Sequence, residues 1–228
     1  MEKVFYNRSA EQTLGDMDSS RSGLSGEEAA ARLQKYGQNA LAEANRKSVV
    51  EVFFSQFKDL LVVILLAAAV ISLLSGNVES TVVIFAVLIL NAVLGTVQHC
   101  KAEKSLQSLK AMSSPSAKVI RGGTRMVVSS TEIVPGDIVE LEAGDMIVAD
   151  GRILENYSLK VNESSLTGES EGVEKTADVL TGGKVALGDQ KNMVFSGSLV
   201  TYGRAVMVVT ATGMQTEIGK IAALMNQT

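Results

Sequence analysis

The sequence is poor in the residue types that build disulfide frameworks and zinc sites. Its 228 residues include one cysteine, Cys100, and one histidine, His99. A single cysteine excludes a disulfide within the chain and a cysteine-based metal site, and a lone histidine cannot form a zinc site without carboxylates or outside ligands. Tryptophan is missing and aromatic residues make up only 4%, so the 46% hydrophobic content is mostly aliphatic. Its concentration in one region indicates a membrane segment.

Positive charge is also scarce. Lys and Arg number 21 against 25 Asp and Glu, which gives a net charge of -4. Domains that bind nucleic acids usually carry a basic face, so we expect no nucleic-acid partner. Residues 1–20 are polar and lack a basic start followed by an apolar core, so they are not expected to be a signal peptide.

Two short helices are predicted near the N-terminus, each opened by a capping box. Ser9 and Ser25 are each followed, three residues later, by Gln or Glu, which is the spacing of that motif. The second helix is predicted over residues 26–36 and ends at Gly37, a helix-terminating residue. We expect residues 1–47 to form an N-terminal segment on a cytoplasmic face.

Two apolar runs follow. Residues 60–74 contain one polar side chain, and residues 81–97 contain three. The first run is shorter than the roughly 20 residues of a membrane span, so we expect its helix to continue back through Phe57. The pair predicts a transmembrane hairpin with spans at about 57–75 and 81–98. A buried hairpin of a soluble protein is the alternative.

The distribution of charge predicts the orientation of this hairpin. Lys and Arg flank its outer ends, whereas the connector, residues 75–80, carries only one acidic residue and no basic one. Because positive residues remain on the cytoplasmic side, we expect a multi-pass membrane segment with both ends cytoplasmic. An apolar stripe persists beyond the second run, so its helix is predicted to continue as a stalk, giving a hairpin and stalk over residues 48–112.

From Ala117 onward the pattern changes to short apolar runs separated by turns. Gly122-Gly123 predicts the turn of a β-hairpin. The predicted strands are residues 118–121, 124–128, 138–141, 147–149, 152–154, 193–195, 198–200 and 205–212. This spacing is typical of a compact β-sandwich or distorted jelly roll, assigned to residues 113–215. Residues 216–228 are predicted to form an amphipathic helix that leads to a further span.

Several acidic residues in this region could suggest a metal site. Asp137, Asp145 and Asp150 each adjoin a glycine, however, so we predict that they stabilise turns. Glu163 and Glu171 are predicted to be solvated.

One loop of the β-region combines groups that could take part in catalysis. Residues 161–170 have no regular period and end in Thr167, Gly168, Glu169 and Ser170. Gly168 has no Cβ, so it lets the backbone pass close to another surface, and Glu169 could orient or deprotonate a water molecule. Taken alone, this tetrapeptide is more typical of an ordinary solvated loop.

Several short motifs along the chain bear on whether this loop has a function. In chain order they are Gly23-Leu24-Ser25, Tyr36-Gly37-Gln38-Asn39, Gln56-Phe57, Asp59-Leu60-Leu61, Ala102-Glu103-Lys104-Ser105-Leu106, Val134-Pro135-Gly136-Asp137, Ala149-Asp150-Gly151-Arg152, the run from Glu163 to Ser170, and Thr216-Glu217-Ile218-Gly219-Lys220. Together they resemble the N-terminal third or quarter of a P-type cation-transporting ATPase of the P2 type, most of all the calcium pumps. Each motif is weak alone, but their order and the number of spans make the resemblance specific.

The resemblance implies both a fold and a mechanism. The fold is mixed: an all-β distorted jelly-roll actuator domain with small N-terminal helices, plus an α-helical transmembrane hairpin. Such pumps phosphorylate an aspartate from ATP and then hydrolyse the aspartyl phosphate. By this resemblance Glu169 would position the attacking water, Thr167 and Gly168 would pack against the phosphate, and Ser170 would complete the dephosphorylation loop. In-line attack on a phosphoryl group depends mainly on positioning.

The chain also departs from a complete pump. No aspartate is followed by Lys-Thr-Gly-Thr, and no nucleotide-binding glycine loop is present. We therefore expect no cofactor in this chain, with ATP and Mg²⁺ bound only in a full-length parent, and we expect the chain to be a fragment. Its expected partners are the lipid bilayer and the remaining phosphorylation, nucleotide-binding and transmembrane domains. Overall similarity makes calcium the leading cargo. Ser55 and Lys58 stand where calcium pumps often carry carboxylates, however, and this departure argues against a calcium-type entry path.

Two functions therefore remain open. In the first, the chain is the actuator and first membrane hairpin of an ATP-driven cation pump. In the alternative, it is a membrane-tethered, non-catalytic binding or regulatory module that keeps the actuator fold. A Lys-Thr-Gly-Thr sequence after an aspartate, encoded beyond residue 228, would separate them.

Overall fold

A computed structural model of the chain describes residues 4–41, 48–112, 115–168 and 171–225. It divides the chain into two compact units. The first unit, Met1–Ala42 with Ser114–Thr228, combines the N-terminal helices with the β-rich region, and the second, Glu43–Ser113, contains the apolar helices.

The two N-terminal helices form as the sequence predicts. They are α1 (Ala10–Asp16) and α2 (Gly26–Tyr36), and both capping boxes are present. In the first box the hydroxyl of Ser9 accepts from the backbone N–H of Gln12 at 3.1 Å. Leu14 of α1 is buried in a small apolar cluster with residues of three strands of the sheet, so the helices belong to the same packed unit as the β-region.

The described residues of the β-region form a seven-stranded sheet in which every pair of strands is antiparallel. The strands are β1 (Ser116–Arg121), β2 (Thr124–Ser129), β3 (Ile138–Glu142), β4 (Asp150–Asn162), β5 (Gly172–Glu174), β6 (Met193–Val194) and β7 (Leu199–Ala211). Their order is β2-β1-β3-β7-β4-β5, with β6 paired to β4. One face buries a continuous aliphatic core that includes Val119, Ile153 and Met207. This confirms an antiparallel β-domain accompanied by small N-terminal helices.

The long strands β4 and β7 correct the predicted short strands. Asp150 and Gly151, predicted to be a turn, are the first two residues of β4, and residues 147–149 do not form a strand. Strands predicted at 198–200 and 205–212 are both part of β7. The β4–β7 pairing contains several register shifts, and such bulges interrupt the alternation of side chains by which a long strand is recognised in a sequence.

Gly203 explains why β7 was predicted as two pieces. It has φ +76°, and a Cβ at this position would lie 2.2 Å from the carbonyl oxygen of Ser158 on β4. Ser158 itself has φ +54°. The glycine therefore allows a close approach between the backbones of two paired strands, and it does not lie in a turn between strands.

The second unit is helical. It consists of α3 (Val49–Ser55), a 3-10 turn (Gln56–Lys58), α4 (Leu60–Leu74) and α5 (Val78–Met112). The helix expected to run without interruption through Phe57 is broken, because Asp59 adopts an extended conformation (φ -65°, ψ 136°) and its carboxylate caps α4 by accepting from Leu61 N–H at 2.8 Å.

The long helix α5 continues to Met112, so the predicted continuation of the helix beyond the second apolar run is present. It begins at Val78, which shortens the predicted connector. By length and composition, Val78–Leu106 could cross a membrane. The segments Val49–Lys58 and Leu60–Leu74 meet the same criterion together, bent by 70° at the break. Only 22% of the apolar window in α5 is buried, whereas a core helix of a soluble protein is mostly buried.

Candidate functional site

The loop that ends in Thr167 and Gly168 connects β4 to β5 at the edge of the sheet. The last residue of β4, Asn162, pairs with Gly172, the first residue of β5. The connection therefore leaves and re-enters the sheet at adjacent positions, and β5 pairs with β4 alone among the described strands. Both ends of the loop are thereby joined to a hydrogen-bonded β-hairpin.

A single helical turn, α6 (Ser164–Thr167), organises the first half of the loop, where the sequence predicted no regular structure. The side-chain oxygen of Asn162 accepts from Ser164 N–H at 2.9 Å. The carbonyl oxygen of Glu163 accepts from the backbone N–H of Leu166 at 2.9 Å and of Thr167 at 3.0 Å. It also accepts from the Thr167 hydroxyl at 3.2 Å. The position of Thr167 thus depends directly on Glu163.

Gly168 ends this turn in the left-handed conformation, with φ +76° and ψ -2°. Its N–H donates to the carbonyl of Ser164 at 3.0 Å. A Cβ at this position would meet no atom within 4 Å. Glycine is therefore favoured here for its backbone conformation and not for lack of space.

Two neighbouring segments support the turn. The Ser165 hydroxyl donates to the carbonyl of Gly197 at 3.2 Å. The methyl group of Thr167 packs against Gly188, where an added Cβ would lie 3.3 Å from it. These contacts hold the turn against the body of the β-domain.

Beneath the loop lies a buried ion pair that the sequence did not predict. Glu163, predicted to be solvated, has only 1% of its side chain exposed and pairs with Lys175, whose side chain is 0% exposed, at 2.5 Å. Burial raises the pKa of the Glu163 carboxyl above its usual value, and burial lowers the pKa of Lys175. The ammonium also lies 5.7 Å from the centre of the Phe195 ring. Glu171 is exposed, as predicted.

The structure describes two of the four predicted site residues. Thr167 and Gly168 lie at the end of α6, as given above, whereas Glu169 and Ser170 lie outside the described residues. The catalytic roles assigned to all four remain predictions.

The three aspartates that were predicted to stabilise turns occupy separate structural positions. Asp137 is fully buried and pairs with Arg121 at 2.7 Å, and Asp145 accepts from the backbone N–H of Glu142 at 2.9 Å. Asp150, which lies in β4 and not in a turn, accepts from two backbone N–H groups. Within the part of the chain that the structure describes, no three His, Cys, Asp or Glu side chains are grouped so as to hold a metal ion.

Comparison with known proteins identifies the class to which this fold and loop belong. The sequence profile of the P-type ATPase actuator domain matches residues 111–226, and that of the cation transporter/ATPase N-terminus matches residues 5–72. The chain therefore belongs to the P-type ATPase family, and its β-domain is an actuator domain.

Individual relatives agree with this assignment. The chain is 47% identical over 220 residues to the calcium-transporting ATPase lmo0841 of Listeria monocytogenes and 50% identical over 220 residues to calcium-transporting ATPase 1 of Lactococcus lactis. Each match covers 96% of this chain and 25% of the relative. A probable cation-transporting ATPase F of Mycobacterium tuberculosis is 43% identical over 202 residues, which cover 89% of this chain and 22% of that protein. The chain thus spans about a quarter of the length of the curated relatives it matches.

Proposed function

We propose that this chain is the actuator and first membrane hairpin of an ATP-driven cation pump, and that its loop at residues 167–170 drives hydrolysis of an aspartyl phosphate carried outside the chain. The observation that supports this most directly is the geometry of Thr167 and Gly168. They end a helical turn whose N–H groups donate to the backbone carbonyl of Glu163, and the side chain of Glu163 is buried and ion-paired. The proposed general base, Glu169, is the next residue in the chain after Gly168.

In the proposed reaction the loop acts on a phosphoaspartate that approaches it. A water oxygen bonds to phosphorus in line with the leaving group, while the bond between phosphorus and the aspartate oxygen breaks. The aspartate leaves as a carboxylate, and Glu169 accepts the proton lost by the water. Thr167 and Gly168 pack against the phosphoryl group and exclude other water. Positioning is the main requirement for such an in-line transfer.

The rest of the pump would supply the groups that this chain lacks. ATP and Mg²⁺ would be bound by the phosphorylation and nucleotide-binding domains, and further transmembrane helices would complete the ion path. We propose that the helical unit spans the bilayer with both ends cytoplasmic, since the basic residues lie at its outer ends. Rotation of the β-domain would then couple hydrolysis to movement of the membrane helices.

Calcium is the cargo that the relatives favour, because two of those named above are called calcium-transporting ATPases. Ser55 and Lys58, both outside the β-domain, provide no carboxylate in the first span. Measuring which cation stimulates ATP hydrolysis in an assembled pump would decide this part of the proposal.

The test of the proposed reaction uses a chimera in which this chain replaces the matched quarter of the Listeria relative. The chimera is phosphorylated with labelled ATP and calcium, then chased with unlabelled ATP and a calcium chelator, and the acid-stable phosphoprotein is followed with time. Removal of the general base is expected to slow its decay by about a hundredfold or more, so Glu169→Ala should accumulate phosphoenzyme.

Glu171→Ala is the matched control, because it removes an exposed carboxylate two residues further along the same loop. We expect its decay to equal that of the unmodified chimera. If Glu169→Ala decayed as fast as Glu171→Ala, the assigned role of the loop would be wrong.

A further inference from the structure

The ion pair of Glu163 and Lys175 joins the two ends of the hairpin that carries the loop. Glu163 directly follows β4, and Lys175 directly follows β5. The backbone N–H of Lys175 donates to the carbonyl of Leu159 at 2.9 Å, which places Lys175 opposite a residue four positions before Glu163. The Lys175 side chain must therefore extend beneath the hairpin toward the loop to reach the Glu163 carboxylate at 2.5 Å.

Strand periodicity explains why Glu163 faces inward. Leu159, Val161 and Glu163 alternate along the chain, and all three are buried. Side chains two residues apart in a strand lie on the same face of the sheet. Glu163 thus continues the core-facing row of β4 as a carboxylate at the point where the strand gives way to the loop.

Such a pair is not explained by stability alone. Removing two charges from water is costly, and an apolar pair of similar size often stabilises a protein equally well. Among the described residues, neither the Glu163 carboxylate oxygens nor the Lys175 ammonium has a hydrogen-bond partner beyond the other member of the pair. An ion pair adds a defined orientation, because its short contact fixes how both side chains lie. Apolar packing, by contrast, can preserve stability without keeping a single arrangement of the side chains.

The backbone of Glu163 transmits that orientation to the loop. Its carbonyl oxygen accepts from the N–H groups of Leu166 and Thr167 and from the Thr167 hydroxyl. Gly168, which has a left-handed conformation, follows directly. A rotation of Glu163 would therefore change the position of Thr167 and the direction in which the chain leaves Gly168.

We propose that Glu163 and Lys175 are positioning residues for the dephosphorylation reaction: their buried ion pair fixes the Glu163 carbonyl and, through it, the geometry of the catalytic loop. This inference rests on the function proposed above for that loop. Neither side chain touches the phosphoryl group or the attacking water in this account. Loss of the pair should therefore slow hydrolysis of the phosphoenzyme without preventing its formation.

The informative variant is the double replacement Glu163→Leu with Lys175→Met, because a single replacement would leave a buried charge without its partner and could unfold the domain. Its matched control is Lys160→Met with Glu174→Leu. Lys160 and Glu174 pair at 2.7 Å on the same two strands, but their side chains are 44% and 75% exposed.

Two measurements separate a positioning role from a structural one. Thermal unfolding of the chain in detergent should give similar midpoints for the double variant, the control and the unmodified chain. In the Listeria chimera the double variant should form phosphoenzyme at the normal rate. Its decay should be about ten to a hundred times slower, the range that small errors in positioning produce, while the control decays normally.

Each other outcome overturns the inference. A double variant that folds and decays normally would show that loop geometry does not depend on the pair, and one that fails to fold would show that the pair serves stability. Glu169→Ala, measured in parallel, separates this inference from the proposed function. If Glu169→Ala slows decay and the double variant does not, the positioning inference alone fails. If Glu169→Ala has no effect, the function proposed for the loop fails as well.

Discussion

Replacement of Gly168 by alanine tests the conformation of the loop that we propose to be catalytic, with little interference from packing. The residue has φ +76°, and an added Cβ would meet no atom within 4 Å, so the cost is conformational. A left-handed alanine costs about 1–2 kcal/mol. Reduced freedom of the unfolded chain offsets about 0.4–1 kcal/mol of this cost. The net loss of unfolding free energy is therefore about 1 kcal/mol, a shift of about 3 °C in the melting temperature.

The effect on the reaction should exceed this small loss of stability. Alanine can relieve its strain by leaving the left-handed region. This change would break the hydrogen bond from the N–H of residue 168 to the carbonyl of Ser164 and would alter the path of the chain into Glu169. We expect phosphoenzyme decay in the Listeria chimera to slow at least about tenfold, because misplacing a catalytic group by a small distance lowers a reaction rate by this amount or more. Gly168→Asn should decay at an intermediate rate, because asparagine tolerates the left-handed conformation better than alanine.

Gly123→Ala provides the matched control for this prediction. Gly123 lies in the β1–β2 turn with φ +74° and also has open space at its Cβ position. Its replacement should lower the melting temperature by the same amount and leave phosphoenzyme decay unchanged. Equal decay rates for the two alanine variants would refute the argument that the conformation of Gly168 directs the loop.

Two further predictions concern the body of the β-domain. Arg152 is fully buried and donates to five backbone carbonyls in four segments of the chain. Because each buried carbonyl left unpaired costs about 1–3 kcal/mol, Arg152→Met should lower the melting temperature by at least about 8 °C, roughly 3 kcal/mol on the usual scaling. A shift below about 2 °C would contradict this prediction. Burial raises the pKa of Asp150 to about 6, although its carboxylate accepts from Ser196 and Glu217. The folded state therefore retains a proton that the unfolded state releases, so this residue's contribution to stability is present at pH 4 and is lost as the pH rises through 6, by at most about 3 kcal/mol. Unfolding midpoints measured from pH 4 to 7 should fall more steeply for the unmodified chain than for Asp150→Asn, and parallel curves would contradict the assignment.

Local signals in the sequence were sufficient where a structure depends on neighbouring residues. The capping boxes at Ser9 and Ser25 and the glycine after residue 36 defined two helices that the structure confirms. The continuation of α5 beyond the second apolar run followed from a continuous helical stripe. The break at Asp59 also had a local signal, since an aspartate before an apolar run is a helix N-cap, but the length required for a span outweighed it.

Features that depend on distant residues could not be predicted in the same way. Gly203 reads as a turn residue until Ser158 is known to lie against it on another strand. Glu163 and Lys175 lie 12 positions apart, and each charge alone is typical of a solvated surface. The alternation from Leu159 through Val161 could have indicated that Glu163 faces the core. The pairing partner, however, became known only from the register of β4 with β5.

The decay of phosphoenzyme in the chimera tests the central claim most directly, because it measures the step assigned to this chain. With the loop intact, label incorporated from ATP should disappear rapidly after the chase. With Glu169→Ala the label should persist about a hundredfold longer or more, as expected for loss of a general base, while Glu171→Ala behaves as the unmodified protein. Equal decay in all three would contradict the claim that this actuator domain drives hydrolysis of the aspartyl phosphate.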